Sequence, residues 1–164
     1  MKALFLIRHA KSSWDDPTLS DPSRPLTRRG ERDAAMMGKR LSHRHVRPDV
    51  VVSSPAVRAL DTARLIARAL HYKPKDIVVD ARLYASSADA LIEAIEALDV
   101  TVECVMLVGH NPEFTELAHR FSSAITDIPT CAVVRFEFKA KTWKGLGLRR
   151  PVSSEFDSPK IASA

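Results

Sequence analysis

Five short apolar runs are separated by longer segments in which apolar residues recur every three or four positions. The first four runs are rich in Leu, Ile, Val, Met and Phe, a pattern typical of parallel strands buried on both faces. In the fifth run apolar residues alternate with charged ones, which predicts one face in water and an antiparallel or edge strand. The predicted strands cover residues 2–7, 49–53, 76–80, 104–108 and 132–138.

The segments between these runs predict four amphipathic helices, at residues 27–43, 56–70, 88–98 and 112–121. Thr27 is suited to cap the first helix, and Glu31 lies near the capping-box position. Pro55 suits the first turn of the second helix, because its ring fixes the required φ. Strands that alternate with helices of this length predict an α/β fold in three layers, α/β/α, around a mostly parallel sheet.

The chain has 164 residues, which suits a single domain over residues 1–164 with one sizeable core. Residues 11–25 are polar and lack periodicity, so we predict a long loop over the functional face. The last stretch, from about residue 140 to 164, contains two glycines and two prolines. We interpret it as an edge strand followed by a loosely held tail.

The composition is that of an ordinary globular protein, with 45% hydrophobic and 27% charged residues. No apolar run approaches the ~20 residues that span a bilayer. The N-terminal run is too short for a signal peptide and Arg8 follows it directly, so the cytoplasm is the predicted location. Cys104 and Cys131 lie in apolar runs without a CxxC partner, which favours reduced cysteines in buried strands over a disulfide or redox role.

The net charge is +5, from 25 Lys and Arg against 20 Asp and Glu. Nucleic-acid-binding proteins usually combine a Lys/Arg stripe with aromatic residues, whereas aromatics are 6% of this chain. An acidic substrate and solvated helix surfaces explain the arginines without such a partner, and neither nucleic acid nor a membrane is predicted. Nucleic-acid binding stays open as a rival, which a steep salt dependence would reveal.

Four motifs that follow apolar runs or lie in the first long loop carry the chemistry. In open α/β sheets ligands bind beyond the carboxyl ends of the strands, so three of these motifs should meet there. Guanidinium groups match phosphoryl oxygens bidentately, and the helix after the third motif would add a positive dipole. The sequence therefore predicts a phosphoryl-binding pocket. The motifs are Arg8-His9, Arg24, Ser53-Ser54-Pro55 with Arg58, and Gly109-His110-Asn111-Pro112.

His9 is the candidate nucleophile, because a neutral imidazole can attack phosphorus and this one directly follows a buried strand. A metal site at His9 and His110 is a competing interpretation. No HxH or ExxH grouping accompanies these two residues, and arginines beside them would repel a divalent cation. His43 and His45 form an HxH pair without carboxylates nearby and are predicted to be solvated. No metal and no cofactor is therefore predicted.

Four segments in this order, LIRHAKS, RPLTRRGERDA, SSPAVRALDTA and LVGHNP, closely resemble motifs of the histidine phosphatase superfamily. The short chain and its Arg-Pro-Leu-Thr signature at residues 24–27 are most similar to the SixA-type phosphohistidine phosphatase branch. The resemblance runs from residue 2 to about 121 and implies a phosphoglycerate mutase-like fold. Ala10 stands where glycine is usual, as it does in relatives of this branch.

The resemblance implies a role for each matching residue. His9 would take the phosphoryl group, Arg8 and Arg58 would bind its oxygens, and His110 would donate another hydrogen bond in the transition state. Further phosphate contacts that the resemblance implies are Arg24, Ser12 and Asn111. Alternatively, Ser12 and Asn111 are simply loop or helix-start residues.

The general acid is the gap in this pattern. Larger members of the superfamily carry a carboxylate in a helical insertion, for which this chain is too short. The candidates here, Asp15, Asp16, Asp21 and Glu113, are better explained as solvated loop or helix-cap carboxylates. A phosphoramidate such as phosphohistidine needs less help from an acid, because its leaving nitrogen can be protonated before cleavage.

These observations predict a metal-independent phosphohydrolase that forms a phosphohistidine intermediate. Its expected substrate is phosphohistidine on a signalling or phosphotransfer protein, with inorganic phosphate as product. A broad-specificity phosphomonoesterase for small molecules is the alternative, and the missing insertion disfavours a mutase. A non-catalytic phosphate-binding module would not need His9 and is the weaker interpretation.

Overall fold

The computed structural model describes residues 1–162. Within them, six strands form one sheet in the order β3-β2-β4-β1-β5-β6. The first four strands of that order are parallel, and the last two are antiparallel to their neighbours. The strands are β1 (Lys2–Arg8), β2 (Val50–Ser53), β3 (Val78–Val79), β4 (Cys104–Gly109), β5 (Val133–Phe138) and β6 (Ser153–Asp157).

Helices cover both faces of the sheet, because successive residues of a strand point to opposite sides. Leu4 and Leu6 of β1 enter the apolar cluster of the third and fourth helices, whereas Phe5 and Ile7 enter that of the first and second. The predicted three-layer α/β fold is therefore confirmed. In residues 1–162 no helix has the length and apolarity needed to cross a membrane. The α-helices are α1 (Arg28–His43), α2 (Val57–Ala69), α3 (Ala88–Glu96) and α4 (Glu113–Phe121).

The fifth predicted strand was expected to be antiparallel or at an edge, and it is antiparallel. It lies inside the sheet between β1 and β6, so the edge position belongs to β6 instead. Val134 and Phe136 are fully buried, while Arg135 and Glu137 are half-buried between neighbouring strands. The alternation of apolar and charged residues thus correctly predicted one buried face.

The third predicted strand is much shorter than its apolar run suggested. Residues 76–80 were expected to form a strand buried on both faces, but the strand contains Val78 and Val79 alone. They are 49% and 51% exposed, because β3 is an edge strand that pairs with β2 only. Upstream, Pro74–Asp76 forms a 3-10 turn, and the proline cannot donate to a sheet ladder.

The start of α1 is capped as predicted, since the Thr27 hydroxyl accepts a hydrogen bond from Gly30 N at 3.0 Å. The capping box is absent, however: Thr27 N donates to the carbonyl of Lys11 at 2.9 Å instead of to Glu31. A Cβ on Gly30 would lie 2.2 Å from that same carbonyl oxygen. The glycine thus lets the helix start approach the chain that follows β1.

The second helix begins later than predicted. Pro55 was expected in its first turn, but it precedes the capping residue, Ala56, and the helix begins at Val57. Pro112 likewise caps α4 from outside the helix. The helix α2 therefore begins two residues after Pro55, and α4 begins one residue after Pro112.

Residues 139–162, the described part of the predicted edge strand and tail, contribute to the core. Trp143 is fully buried, and its indole N–H donates to Val102 O at 2.7 Å. Arg40 of α1 donates to Asp157 Oδ1 and to the carbonyls of Ser158 and Ile161, at 3.0, 3.0 and 2.8 Å. The chain is therefore tied to α1 as far as residue 161. Residues 163 and 164 of the predicted tail lie outside the described residues.

Both cysteines are free, as predicted. Cys104 begins β4 and is half-buried. Cys131 is buried but lies in the turn before β5, with φ of 61°, so its predicted place in a strand is wrong. Burial raises the pKa of each thiol to about 12, which keeps both thiols protonated at neutral pH.

Candidate active site

The motifs converge where β1, β2 and β4 end, because these neighbouring parallel strands have their carboxyl ends at the same edge. His9 N donates to Gly109 O at 3.0 Å, and Ser54 N donates to Val108 O at 2.9 Å. The rings of His9 and His110 consequently lie side by side, with centroids 5.1 Å apart. The backbone ladder of the sheet thus brings two imidazoles into one pocket.

The protonation state of His9 is fixed by its surroundings. Its Nδ1 lies 2.8 Å from the carbonyl oxygen of Ala10, which can only accept, so Nδ1 carries the proton. Nε2 is left with a lone pair. Burial first, and then the charges of Arg58, Arg8 and Arg24, lower the pKa of His9 to about 4. The imidazole is therefore neutral at physiological pH, and burial contributes more to this than the arginines do.

The backbone around His9 is held from two sides. Ala10 N donates to the Thr62 hydroxyl at 3.0 Å, and that hydroxyl donates to Arg58 O at 2.7 Å. On the other side, Cys131 N donates to the carbonyls of Arg8 and His9, at 3.0 and 3.1 Å. Sequence reasoning missed Thr62, although its position one helical turn after Arg58 was a usable signal.

Arg8 lies beside the loop before β5. Its Nη1 donates to Ile128 O at 3.1 Å, and Asn111 Nδ2 donates to the same carbonyl at 2.9 Å. Asn111 Oδ1 accepts from both the amide and the hydroxyl of Thr115. The asparagine side chain, predicted as a supporting phosphate contact, thus holds the loop against which Arg8 rests. Within residues 1–162, Arg8 Nε is buried without a partner.

Asp21 joins the other two arginines. Arg58 donates to Asp21 O at 2.8 Å and to Oδ2 at 3.0 Å, and Arg24 Nε lies 3.3 Å from Oδ1. Both arginines are more than nine-tenths buried, whereas the carboxylate is 45% exposed. The pKa of Asp21 is lowered to about 2, mainly by the hydrogen bond from the Tyr84 hydroxyl, 2.6 Å away, and further by the two arginines. Asp21 is therefore an anion at neutral pH.

The predicted loop at residues 11–25 does lie over this face and carries Arg24 into it. Arg24 Nη1 donates to the Ser12 hydroxyl at 3.0 Å and to Ser13 O at 3.3 Å. The Trp14 ring stacks on the guanidinium, with Cζ 3.5 Å from the ring centroid, and remains 72% exposed. Ser12, predicted as a phosphate contact, thus positions Arg24. Neither Trp14 nor Tyr84 was singled out from the sequence, since neither belongs to a motif.

His110 is also neutral and buried. Its Nε2 lies 2.8 Å from the Ser54 hydroxyl, and its Nδ1 is buried without a partner in residues 1–162. The Tyr84 ring packs nearly perpendicular to it, with centroids 5.4 Å apart. Burial, followed by the proximity of His9 and Arg58, lowers the pKa of His110 to about 3. The pocket therefore pairs two neutral imidazoles.

The four carboxylates predicted as possible general acids have other surroundings. Asp15 and Asp16 are exposed, and the Thr18 hydroxyl lowers the pKa of Asp16. Asp21 is the anion described above. Glu113 is buried and accepts a hydrogen bond from Ser86 N at 2.9 Å. Asp21 is thus the candidate that contacts the arginines, and its low pKa makes it a poor proton donor.

The pocket is suited to an anion with several oxygens, because Arg8, Arg24 and Arg58 surround one neutral nucleophilic nitrogen. Across residues 1–162, no group of three His, Cys, Asp or Glu side chains is placed to hold a metal ion. His43 and His45 are both exposed, as predicted. The pocket thus places a nucleophilic nitrogen among cations that suit the oxygens of a phosphoryl group.

Comparison with known proteins identifies relatives of this architecture. Residues 4–100 match the family model of the histidine phosphatase superfamily, branch 1. An uncharacterised chloroplast protein of Arabidopsis thaliana is 30% identical over 152 residues, which cover 87% of this chain and 69% of that protein. The mitochondrial serine/threonine-protein phosphatase Pgam5 of Drosophila ananassae is 35% identical over 75 residues, covering 46% of this chain and 25% of that protein.

Solved structures give the same result at the level of the fold. A structure described as the phosphohistidine phosphatase SixA from Agrobacterium tumefaciens superposes with a TM-score of 0.78 at 26% identity. The match covers 94% of this chain and 97% of that one. The protein histidine phosphatase SixA complexed with tungstate has a TM-score of 0.78 at 22% identity, covering 96% and 97% of the two chains, and shows the shared fold alone.

Proposed function

Because the chain belongs to the histidine phosphatase superfamily, we propose that it is a metal-independent phosphohydrolase with a phosphohistidine enzyme intermediate. One observation carries the proposal: His9 is neutral and has its Nδ1 proton directed at Ala10 O. The Nε2 lone pair is therefore free to attack, in a pocket where three arginines attract a phosphoryl dianion.

In this proposal Arg8, Arg24, Arg58 and His110 hold the phosphoryl oxygens. The guanidinium groups supply positive charge in a buried site, where charge–charge attraction exceeds that in water. Two of them, those of Arg24 and Arg58, are paired with Asp21. The incoming phosphoryl group competes with this carboxylate for the same N–H groups.

The reaction then proceeds in two displacements at phosphorus. His9 Nε2 attacks in line, the N–P bond forms, and the bond to the leaving group breaks with its electron pair on that group. The phosphorylated imidazole keeps its Nδ1–H bond to Ala10 O, which stabilises the positive charge on the ring. Water next attacks phosphorus, the N–P bond breaks, and inorganic phosphate leaves with His9 restored.

The proposed substrate is a phosphohistidine side chain on a signalling or phosphotransfer protein. Asp21 has a pKa of about 2, so it carries no proton to give an alcohol leaving group at neutral pH. The leaving nitrogen of a phosphoramidate can take its proton from solvent before cleavage. Similarity to a structure described as a phosphohistidine phosphatase supports the same choice.

A phosphomonoesterase that acts on serine, threonine or small-molecule esters is the second candidate. The observation in its favour is the match to Pgam5, which is named as a serine/threonine-protein phosphatase. That match covers less than half of this chain, and the low pKa of Asp21 argues against an ester as substrate. The phosphohistidine proposal therefore comes first.

The experiment offers phosphohistidine, phosphoserine and small phosphate esters to the wild type and to His9→Ala, each with and without EDTA. We expect hydrolysis of phosphohistidine by the wild type, unchanged by the chelator, and none above background with His9→Ala. A matched control is His43→Ala, which removes an exposed imidazole at the end of α1. Preference for phosphoserine would overturn the substrate, and turnover by His9→Ala would overturn the mechanism.

The cytoplasm remains the proposed location on the basis of composition and the pattern of apolar residues. The Arabidopsis relative is named as chloroplastic and the Drosophila relative as mitochondrial, so location differs between these two relatives. Fractionation of cells that express the protein at its native level tests the proposal. Recovery with an organelle or membrane fraction would contradict it.

A further inference from the structure

The hydroxyl of Ser54 makes a contact that none of the roles above uses. Ser54 is fully buried directly after β2, and its Oγ lies 2.8 Å from His110 Nε2. The same oxygen accepts a hydrogen bond from Ala56 N at 3.2 Å. On the far side of the ring, His110 Nδ1 is buried with no hydrogen-bond partner in residues 1–162.

Counting protons distinguishes the two neutral tautomers of His110. If Nε2 carried the proton, it would donate to Ser54 Oγ, and the buried Ser54 O–H would have no acceptor among its contacts in residues 1–162. If Nδ1 carries it, Ser54 O–H donates to the Nε2 lone pair and Oγ still accepts from Ala56 N. The second arrangement leaves one buried polar group unpaired instead of two and is therefore favoured, because a buried group without a partner is costly.

We propose that Ser54 is a positioning residue that holds His110 in the tautomer with its proton on Nδ1, ready to donate to a phosphoryl oxygen. The hydrogen bond at one ring nitrogen decides which atom the other presents, as is general for histidine. The unpaired Nδ1–H then donates a hydrogen bond to an oxygen of the phosphoryl group. The inference rests on the proposed function, because the phosphoryl group is the acceptor.

The frame around Ser54 is rigid enough for this task. Its N–H donates to Val108 O at 2.9 Å, and its carbonyl accepts from the Ser53 hydroxyl at 2.9 Å. His110 directly follows β4, the strand that pairs with β2. The serine and the histidine therefore keep their relative position through the ladder between these two strands.

The neutral state of His110 makes the tautomer matter. An imidazolium would present N–H groups on both sides whatever Ser54 did. The groups that lie near His110 are His9, Arg58, Arg8, Asp21 and the Tyr84 ring. His9, Arg58 and Arg8 disfavour a positive charge on the His110 ring. The ring is therefore neutral and carries one N–H, and Ser54 determines on which nitrogen that proton lies.

The direct test is ¹⁵N NMR of the imidazoles in the wild type, with His110 assigned by loss of its signals in His110→Ala. We expect Nδ1 to be the protonated nitrogen and Nε2 the acceptor. In Ser54→Ala the preference should disappear or reverse, whereas Ser54→Thr, which keeps a hydroxyl, should restore it. Protonation of Nε2 in the wild type would overturn the inference.

Kinetics on the same variants give a second readout. With phosphohistidine as substrate, Ser54→Ala should lose about 10- to 100-fold in kcat, the range found for residues that orient the ligands of metal sites by hydrogen bonding. In the His110→Ala background the same change should add nothing, because Ser54 acts through His110. Ser158→Ala is the matched control, since it removes the hydroxyl of another buried serine, which follows β6 and does not contact the imidazole. Full additivity of Ser54→Ala and His110→Ala would contradict the proposal.

These measurements separate this inference from the proposed function. The NMR assignment needs no turnover, so it decides the tautomer even if no phosphatase activity is found. Circular dichroism and thermal unfolding establish that each variant is folded. If Ser54→Ala fails to fold, Ser54→Cys replaces it: the poor thiol donor should weaken the Nδ1–H preference, and an unchanged preference would overturn the inference.

Discussion

Two halves of the pocket are built in different ways. The strand half consists of His9, Ser54 and His110, which directly follow β1, β2 and β4. Its residues are at most 8% exposed, and hydrogen bonds connect its backbone to neighbouring strands. The reacting nitrogen therefore inherits its position from the sheet.

The loop half consists of Trp14, Asp21 and Arg24, carried by the long segment between β1 and α1. Trp14 is 72% exposed and the Asp21 side chain 45%, and both are held by contacts with arginine side chains rather than within a ladder of strands. The strand half therefore fixes the nucleophile, and the loop half adds one cation, Arg24, and the anion Asp21 to the charges that the nucleophile meets.

Loss of an arginine that pairs with the loop half and whose charge acts on His9 should have the largest effect. Arg58→Ala removes a buried cation whose neighbours include His9 and Asp21, and we expect kcat/KM to fall by about 10²–10³-fold. Steady-state kinetics with phosphohistidine measure it. Arg64→Ala, which removes an exposed arginine of the same helix, is the control and should behave like the wild type. Activity within a few-fold of wild type in Arg58→Ala would remove Arg58 from the site.

The strand half predicts an unusual pH dependence. Only neutral His9 can attack, and its pKa of about 4 means that activity is lost as pH falls through 4, not through the ordinary 6.5. At pH 5 about nine-tenths of His9 is neutral, against about 3% for a free imidazole, an advantage of about 30-fold. Initial rates over times shorter than the substrate's own hydrolysis measure it, with an NMR titration of His9 beside them. Loss of the neutral form near pH 6.5 would show that His9 is not desolvated.

The close approach of the long loop to the start of α1 can be tested by a substitution of Gly30. A Cβ there would meet the Lys11 carbonyl oxygen at 2.2 Å, and neither backbone can move freely. We expect Gly30→Ala to lower the free energy of unfolding by about 1–3 kcal/mol, despite alanine's better helix propensity. Denaturant unfolding measures it, and Arg29→Ala, beside it on the exposed side, should stay within the small effect of a surface ion pair. A Gly30→Ala variant as stable as the wild type would mean that the backbone at Lys11 can move to make room for the new Cβ.

The smallest effect has the opposite sign. Asp21→Asn removes the anion that is paired with Arg24 and Arg58, so an incoming oxyanion has one competitor fewer. We expect vanadate to bind a few-fold more tightly, at about 1 kcal/mol or less. Equilibrium binding measures it, with Asp15→Asn, at an exposed loop position, as the control. Weaker binding in Asp21→Asn would make the carboxylate an organiser of the arginines instead of a competitor.

The same two halves differ in how far the sequence predicted them. Apolar runs that end in Arg8-His9 and Gly109-His110 located β1 and β4, because buried parallel strands have a distinctive composition and ligand sites follow their carboxyl ends. The contact between Ser54 and His110 needed the pairing of β2 with β4, which local patterns do not specify.

The loop half was predicted in place but not in detail. Residues 11–25 were expected over the functional face, yet the stacking of Trp14 on Arg24 depends on loop conformation, which no periodicity encodes. Asp21 was one of four equivalent carboxylates in the sequence. Its pairing with Arg58 and Tyr84 distinguishes it, since those contacts join residues 37 and 63 positions apart.

One measurement tests the central claim, that His9 Nε2 takes the phosphoryl group. The wild type is mixed with phosphohistidine, quenched within milliseconds in alkali, and analysed by mass spectrometry that preserves phosphoramidates. We predict a single phosphoryl group on His9 that is stable in alkali and lost in acid, and none in His9→Ala. A phosphoryl group on another residue, or turnover with no phosphoenzyme at any time point, would contradict the account.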